Sequence, residues 1–199
     1  MRKQAWLFLI IGFAVGFGVL YTWTKGRAPE IVRAMPLPVG TAGQQGSASL
    51  TEPPPPPVDV ARLRQLQEDI KANPSNYDAL VELGNTYFDQ KNFNDAVDLY
   101  TKALAVRPTE VNLRTDLGTA LFYANRFDDA IAEFKKVLEI NPNYTQAMFN
   151  IGVALVHGKN DLTGALQYWE KLVAVNPNDP QINMVKEQIR LVREQLGRQ

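Results

Sequence analysis

From about Asp59 onward the apolar residues of this chain recur at i, i+3, i+4 and i+7, and turn residues interrupt them every 16 to 18 positions. That spacing places one apolar stripe on each of a series of short amphipathic helices paired antiparallel. One helix is expected from about Asn76 to Asp89 and the next from about Asn92 to Val106. The turn QKNF separates them, and Arg107-Pro108 closes the second, because Pro108 disfavours helical geometry at Arg107. Ahead of Asp59 the pattern changes twice. Residues 4–24, QAWLFLIIGFAVGFGVLYTWT, hold no charge, and residues 26–58 hold no helical period.

The helical region also repeats itself. LGNTYFDQKNFNDAVDLYTKAL starts at Leu83, LGTALFYANRFDDAIAEFKKVL starts 34 residues later, and IGVALVHGKNDLTGALQYWEKLV starts at Ile151. In the first copy the marked positions are Leu80, Leu83, Gly84, Tyr87, Ala96, Tyr100, Ala103 and Pro108. The second has Arg114, Leu117, Gly118, Leu121, Ala130, Phe134, Val137 and Pro142. The third has Met148, Ile151, Gly152 and Leu155, then, one residue late, Ala165, Trp169, Leu172 and Pro177. This pattern resembles the tetratricopeptide repeat, a helix-turn-helix unit of about 34 residues. Leu80 stands where the family usually has Trp. Arg114 departs from the pattern, so its helix is expected to start less well covered. The extra residue of the third copy is expected in the turn HGKNDL.

The fold class that follows is all-α: a solenoid of three repeats, about 77–110, 111–144 and 145–179, within a domain of residues 59–199. One repeat cannot bury its apolar face alone, so both ends need covers. ARLRQLQEDIKANP reads as the lone second helix of a broken repeat, with Leu63, Leu66 and Ile70 facing in and Pro74 lying 34 residues before Pro108. At the other end Asp179 reads as an N-cap and Pro180 as a first helical residue. They open a capping helix, 180–196, striped by Ile182, Val185, Ile189, Val192 and Leu196. If left uncovered, the stripe would instead be a docking face.

Proteins with this resemblance usually bind extended peptides in a concave groove lined by the first helix of each repeat. The corresponding positions are Asp78, Val81, Asn85, Phe88 and Asp89, then Asn112, Thr115, Thr119, Phe122 and Tyr123, then Gln146, Phe149, Asn150, Val153, Val156 and His157. Chaperone-binding relatives clamp a terminal carboxylate with Lys, Arg and Asn. Here only Asn85 and Asn150 match, while Val81, Asp116 and Gln146 stand where basic or amide groups are wanted, so that mode is not expected. The groove should favour apolar anchors and amide contacts to a peptide backbone, with Asp78, Glu82, Asp89 and Asp116 receiving basic residues. Alternatively these acids are ordinary solvated surface charges.

The amino-terminal segments add context. As a helix, 21 uncharged residues would cover the ~30 Å hydrocarbon core of a bilayer, and Trp6, Tyr21 and Trp23 sit where interfacial aromatics belong. A cleavable signal peptide is the rival, with an apolar core of only ~7–15 residues and an A-x-A-like site; no such site follows Tyr21. The expected organisation is therefore a tail at 1–3, a transmembrane anchor at 4–25 and a Pro-rich, disordered linker at 26–58. Gly12 and Gly16 form a G-x-x-x-G, a spacing that pairs helices in membranes. Pro53–Pro57 favour a stiff polyproline II rod, either a spacer or a ligand for an aromatic groove. Arg2 and Lys3 nearly balance Lys25, Arg27 and Arg33, and the brief tail places the domain on the extracytoplasmic side.

Chemistry narrows the function further. Equal numbers of acids and bases, 21 each, remove the basic excess of a nucleic-acid binder. The chain has no Cys and one His, His157, so neither thiol catalysis nor a zinc set is expected. No P-loop or G-x-S-x-G elbow occurs, and no cofactor is expected. Asn143-Tyr144-Thr145 matches a glycosylation sequon, a weak three-residue pattern. The expectation is a non-enzymatic, membrane-anchored scaffold that binds a peptide of a protein partner. In architecture it is similar to assembly factors of bacterial envelope systems, cytochrome c maturation among them. The alternative is a structural homo-oligomer that associates through its transmembrane helix and repeats.

Overall fold

The computed structural model describes Gly40, residues 59–178 and residues 182–197. The expected transmembrane anchor, the rest of the linker and the Asp179-Pro180 cap lie outside the described residues. Eight α-helices follow one another: α1 (Val60–Ala72), α2 (Tyr77–Asp89), α3 (Phe93–Val106), α4 (Val111–Tyr123), α5 (Phe127–Ile140), α6 (Thr145–Ala154), α7 (Leu162–Val175) and α8 (Ile182–Leu196). A π-helical turn, Leu155–Lys159, extends α6. No strand occurs among the described residues.

Local chemistry starts and stops these helices. Asp59 Oδ1 accepts the N–H groups of Ala61 and Arg62, Asn76 Oδ1 accepts that of Ala79, and Asp161 Oδ1 accepts that of Gly164, each meeting N-terminal donors that lack a partner within the helix. The second helix of each repeat ends two residues before a proline, with one capping residue between. Arg107, Asn141 and Asn176 cap α3, α5 and α7 with φ of −130°, −132° and −137°, the extended geometry that Pro108, Pro142 and Pro177 impose. Asn73, ahead of Pro74, does the same for α1. That recurrence marks α1 as the second helix of an incomplete repeat.

The turns inside the repeats are equally regular until the third. Lys91 and Asn125 adopt left-handed φ of 63° and 60°. The N–H of each reaches back three residues and that of its successor five, the Schellman pattern of a helix end. In the third repeat Asn160 is left-handed, but the N–H groups of Asn160 and Asp161 reach Val156 and Leu155, four and six residues back. The additional residue is therefore taken up by widening the last turn of the helix to π geometry over Leu155–Lys159, which includes the first three residues of the HGKNDL stretch expected to hold it.

Packing follows the glycine and aromatic positions. Successive helices contact one another along the chain, and α4 also meets α6, so first helices form one layer and second helices the other. Tyr100, Phe134 and Trp169 are fully buried between the layers. Each lies on a glycine one helix earlier: a Cβ on Gly84 would sit 2.6 Å from Tyr100, one on Gly118 would sit 2.5 Å from Phe134, and one on Gly152 would strike Trp169. Only glycine admits that approach. The Trp169 indole N–H donates to the Phe149 carbonyl at 3.1 Å, so the largest core side chain leaves no buried donor unmet.

Both ends are covered. Leu66 of α1 is buried, with Leu63 and Ile70 half-buried beside it. On α8, Ile182, Val185, Ile189 and Val192 are buried and Leu196 half-buried, so the stripe is cap, not open docking face. The start of α4 is not left thinly covered as its sequence implies. Arg114 fills it by donating to Glu133 Oε2 and to the Pro108 carbonyl, each at 2.6 Å, and both charged side chains are only 13–14% exposed. Gly40 and all eight helices fall in one compact unit, Pro36–Gln199.

Candidate peptide-binding groove

The first helices α2, α4 and α6 carry the sequence-derived groove residues in a shared register, because the 34-residue period repeats their facing. Their accessibility is uneven. On α2, Asp78 and Asp89 are exposed, and Val81, Asn85 and Phe88 are half-buried. On α4, Asn112 is exposed and Tyr123 half-buried, but Thr115, Thr119 and Phe122 are buried. On α6, Gln146 is half-buried while Phe149, Asn150, Val153 and Val156 are buried. The sequence expects all of these along an open face, whereas the structure leaves α2 and the start of α4 the accessible part. The hydroxyls of Thr115 and Thr119 turn back on carbonyls four residues earlier, a bond that satisfies a buried hydroxyl without a ligand.

Several polar groups are already engaged. Tyr100 donates its hydroxyl to Asn85 Oδ1 at 2.8 Å, and Tyr144 donates to Asn112 Oδ1 at 3.0 Å. Burial raises the Tyr100 phenol well above the usual tyrosine range, with the charges of Asp116 and Asp89 adding to it. It therefore stays a neutral donor that orients the Asn85 amide. Of the four acids expected to meet basic residues, Glu82 is taken by α1: Arg62 grips its carboxylate with two bonds of 2.6 and 2.5 Å. That grip holds Glu82 below the usual carboxylate range. Asp116 is only 8% exposed. Asp78 and Asp89 remain at the surface, and partial burial raises the Asp89 carboxyl.

Aromatic rings join the repeats where first helices end. Phe88 meets Phe93 and Tyr123 edge-on, Phe93 stacks on Tyr123 at 5.1 Å, and Phe122 meets Tyr123 and Phe127 edge-on. His157, on the π turn, completes the run with its ring edge-on to Phe122 at 5.6 Å. It is half-buried, its Nε2 has no hydrogen-bond partner, and burial lowers its pKa below the usual imidazole value. It thus lies in the last turn of its helix and packs between repeats two and three.

One contact was not legible in the sequence. The backbone at Gly40 lies against the middle of α4: a Cβ there would sit 2.8 Å from Asp116 Oδ1 and 3.9 Å from the Thr119 Cβ. The only sequence signal is the stretch PLPVG, residues 36–40, apolar and proline-bearing within a polar linker. Elsewhere an open cleft of about 590 Å³ separates α7 from α8, crossed by an ion pair from Arg193 to Glu170 of 2.7 Å. Among the described residues no three His, Cys, Asp or Glu side chains gather as a metal site would require.

With the geometry in place, the comparisons agree on the class. Two family profiles, both described as Tetratricopeptide repeat, match residues 76–143 and 115–181. The helical region carries tetratricopeptide repeats. Among solved structures, a crystal structure of MamA is similar at 25% identity with a TM-score of 0.62, over 68% of this chain and 77% of that one. An NMR structure of the first TPR domain of human RPAP3 is similar at 26% identity and a TM-score of 0.54, over 63% and 95%. The first TPR domain of Spaghetti (RPAP3), solved with the HSP90 peptide SRMEEVD bound, is similar at 26% and 0.54, over 61% and 93%. No curated protein matches in sequence.

Proposed function

We propose that this protein is a membrane-anchored adaptor whose repeats bind an extended peptide segment of a partner protein along α2 and α4. The observation that carries the reading is the shared facing of these helices, with half-buried Val81, Phe88 and Tyr123 among exposed Asp78, Asp89 and Asn112. Apolar anchors with polar groups between them suit an extended peptide. A similar fold holds a peptide in the Spaghetti structure. The partner differs from that one. No Lys or Arg stands at Val81, Asp116 or Gln146, so the occupant is held by apolar side chains and not by a terminal carboxylate. The uncharged run at 4–24 supports a single-pass anchor. Anchor, linker and repeats together fit a role in assembling an envelope complex.

The test uses the intact chain in its membrane, with a photocrosslinking residue at Asn112 and Val81→Arg as the control. A protein captured through Asn112 and lost in the control is expected. Capture of only further copies of this chain, equally in both, would replace the adaptor by a structural oligomer.

A further inference from the structure

Asp89, Tyr123 and His157 hold one position of the three repeats, 34 residues apart. Asp89 and Tyr123 end α2 and α4, whereas His157 sits in the middle of the π turn that prolongs α6. That turn contacts both α5 and α7, and a Cβ on its Gly158 would strike the Phe127 ring. Single π turns within a helix are rare and recur at functional sites. The imidazole here faces a ring: it meets Phe122 edge-on at 5.6 Å, and its Nε2 is enclosed without a hydrogen-bond partner. The charged groups on the turn and at the starts of α5 and α7 are engaged elsewhere, Lys159 with Asp128, Arg126 with Asp129, and Asp161 with the Gly164 N–H. On α4 the charged residues, Arg114 and Asp116, lie six or more positions before Phe122. A neutral ring forgoes one hydrogen bond in this setting, but an imidazolium would bury a charged N–H with no acceptor, which costs more.

We propose that His157 is a proton-operated latch at the junction of the second and third repeats: uptake of a proton releases the π turn from Phe122 and Phe127 and loosens the rings that follow. The direction comes from burial. Desolvation lowers the His157 pKa while the turn is closed, so protons favour the form in which the ring reaches water. Above the ordinary imidazole value of ~6.5 the junction stays closed, and one pH unit below it the opening equilibrium has risen by up to roughly tenfold. From Phe122 the ring contacts run to Tyr123 at 5.6 Å and on to Phe88 at 5.7 Å. Tyr123 and Phe88 are two of the half-buried anchors of the groove, so opening reaches the face that would hold a peptide. The latch itself needs no ligand. Its consequence for binding rests on the peptide-groove reading above: a partner segment is held at neutral pH and released on acidification, and by reciprocity a bound segment lowers the proton affinity of His157 further.

The chain has one histidine, so its imidazole is a single NMR reporter. In the full-length protein in lipid nanodiscs, the His157 Cε1–H resonance should titrate with a midpoint below ~6.5, and the Tyr123 ring resonances should move with the same midpoint. A midpoint at or above that value, or tyrosine resonances that do not follow it, would overturn the proposal. Amide hydrogen exchange, corrected for its intrinsic pH dependence, reads the opening directly. Between about pH 7.5 and about pH 5.5, protection across residues 153–160 should fall by roughly tenfold in the wild type and stay constant in His157→Phe. No fall in the wild type, or an equal fall in the variant, would overturn the proposal, and the titration of the wild-type resonance decides alone if the variant does not fold. A junction that opens as expected in a chain capturing no partner through Asn112 keeps the latch and removes the adaptor reading. A junction that stays closed in a chain that does capture a partner removes the latch alone.

Discussion

The first and second repeats are built from nearly the same instructions, yet their inner helices meet different surroundings. Gly84 and Gly118 receive Tyr100 and Phe134, Lys91 and Asn125 turn the chain, and Arg107 and Asn141 close the second helices. Across that shared frame Val81, Glu82 and Asn85 stay partly open, while Thr115, Asp116 and Thr119 are covered. The first repeat is flanked by α1, a single helix whose Arg62 pairs with Glu82. The second is flanked on both sides by complete repeats and faced by Gly40. Equal local sequence thus produces equal backbone, but coverage is set by what packs next to it.

The largest effects should come from the glycines. Gly84→Val and Gly118→Val would each force a β-branched side chain into a buried ring, at a cost of about 3 kcal/mol by overpacking. Urea unfolding should show the greater loss at Gly118, whose helix has neighbours on both sides and less room to shift. Equal losses would mean that the two sites relax alike.

The ion pairs sharpen the contrast. Arg114→Ala leaves Glu133 largely buried with only Lys136 to meet it and should cost about 2–3 kcal/mol. Arg62→Ala breaks a pair that is 44–45% exposed and should cost less than about 1 kcal/mol. A double-mutant cycle on each pair separates the coupling from the loss of packing.

Acidification should single out the junction of the second and third repeats. Burial against Phe122 lowers the His157 pKa in the folded state, so the unfolded chain binds the proton more readily. The stability tied to neutral His157 is therefore complete above the unfolded pKa of ~6.5 and is lost as pH falls toward the folded value. His157→Phe should flatten that part of the pH profile between about pH 7 and 5, read from denaturant midpoints. A profile that stays unchanged would place the acid sensitivity elsewhere.

The smallest effect is at the turns. Lys91→Gly should stabilise by about 0.5–1 kcal/mol, because a lysine at φ 63° bears a steric penalty that glycine lacks. Asn125→Gly should gain less, since asparagine tolerates left-handed geometry better than lysine does. Thermal melts of the two variants order the gains.

Much of this fold was written in the chain because its determinants are local or strictly periodic. Proline placement ended α3 within a residue of expectation, the 34-residue period located all three repeats, and Ile182, Val185, Ile189 and Val192 marked the cap by spacing alone. The groove was legible only as a facing. Period told that Thr119 and Asn85 share a side of their helices, but not that one would be buried and the other bound to Tyr100. Arg114 read as a defect because its partner Glu133 lies on another helix, and the extra residue of the third copy was placed near HGKNDL but its π geometry was not legible, because helix and π turn share one composition. The coverage of α4 was least legible of all. Helix propensity and apolar period act over a few residues and survive in any context, whereas the burial of Thr115, Asp116 and Thr119 is decided only when neighbouring helices pack against α4 in the folded molecule.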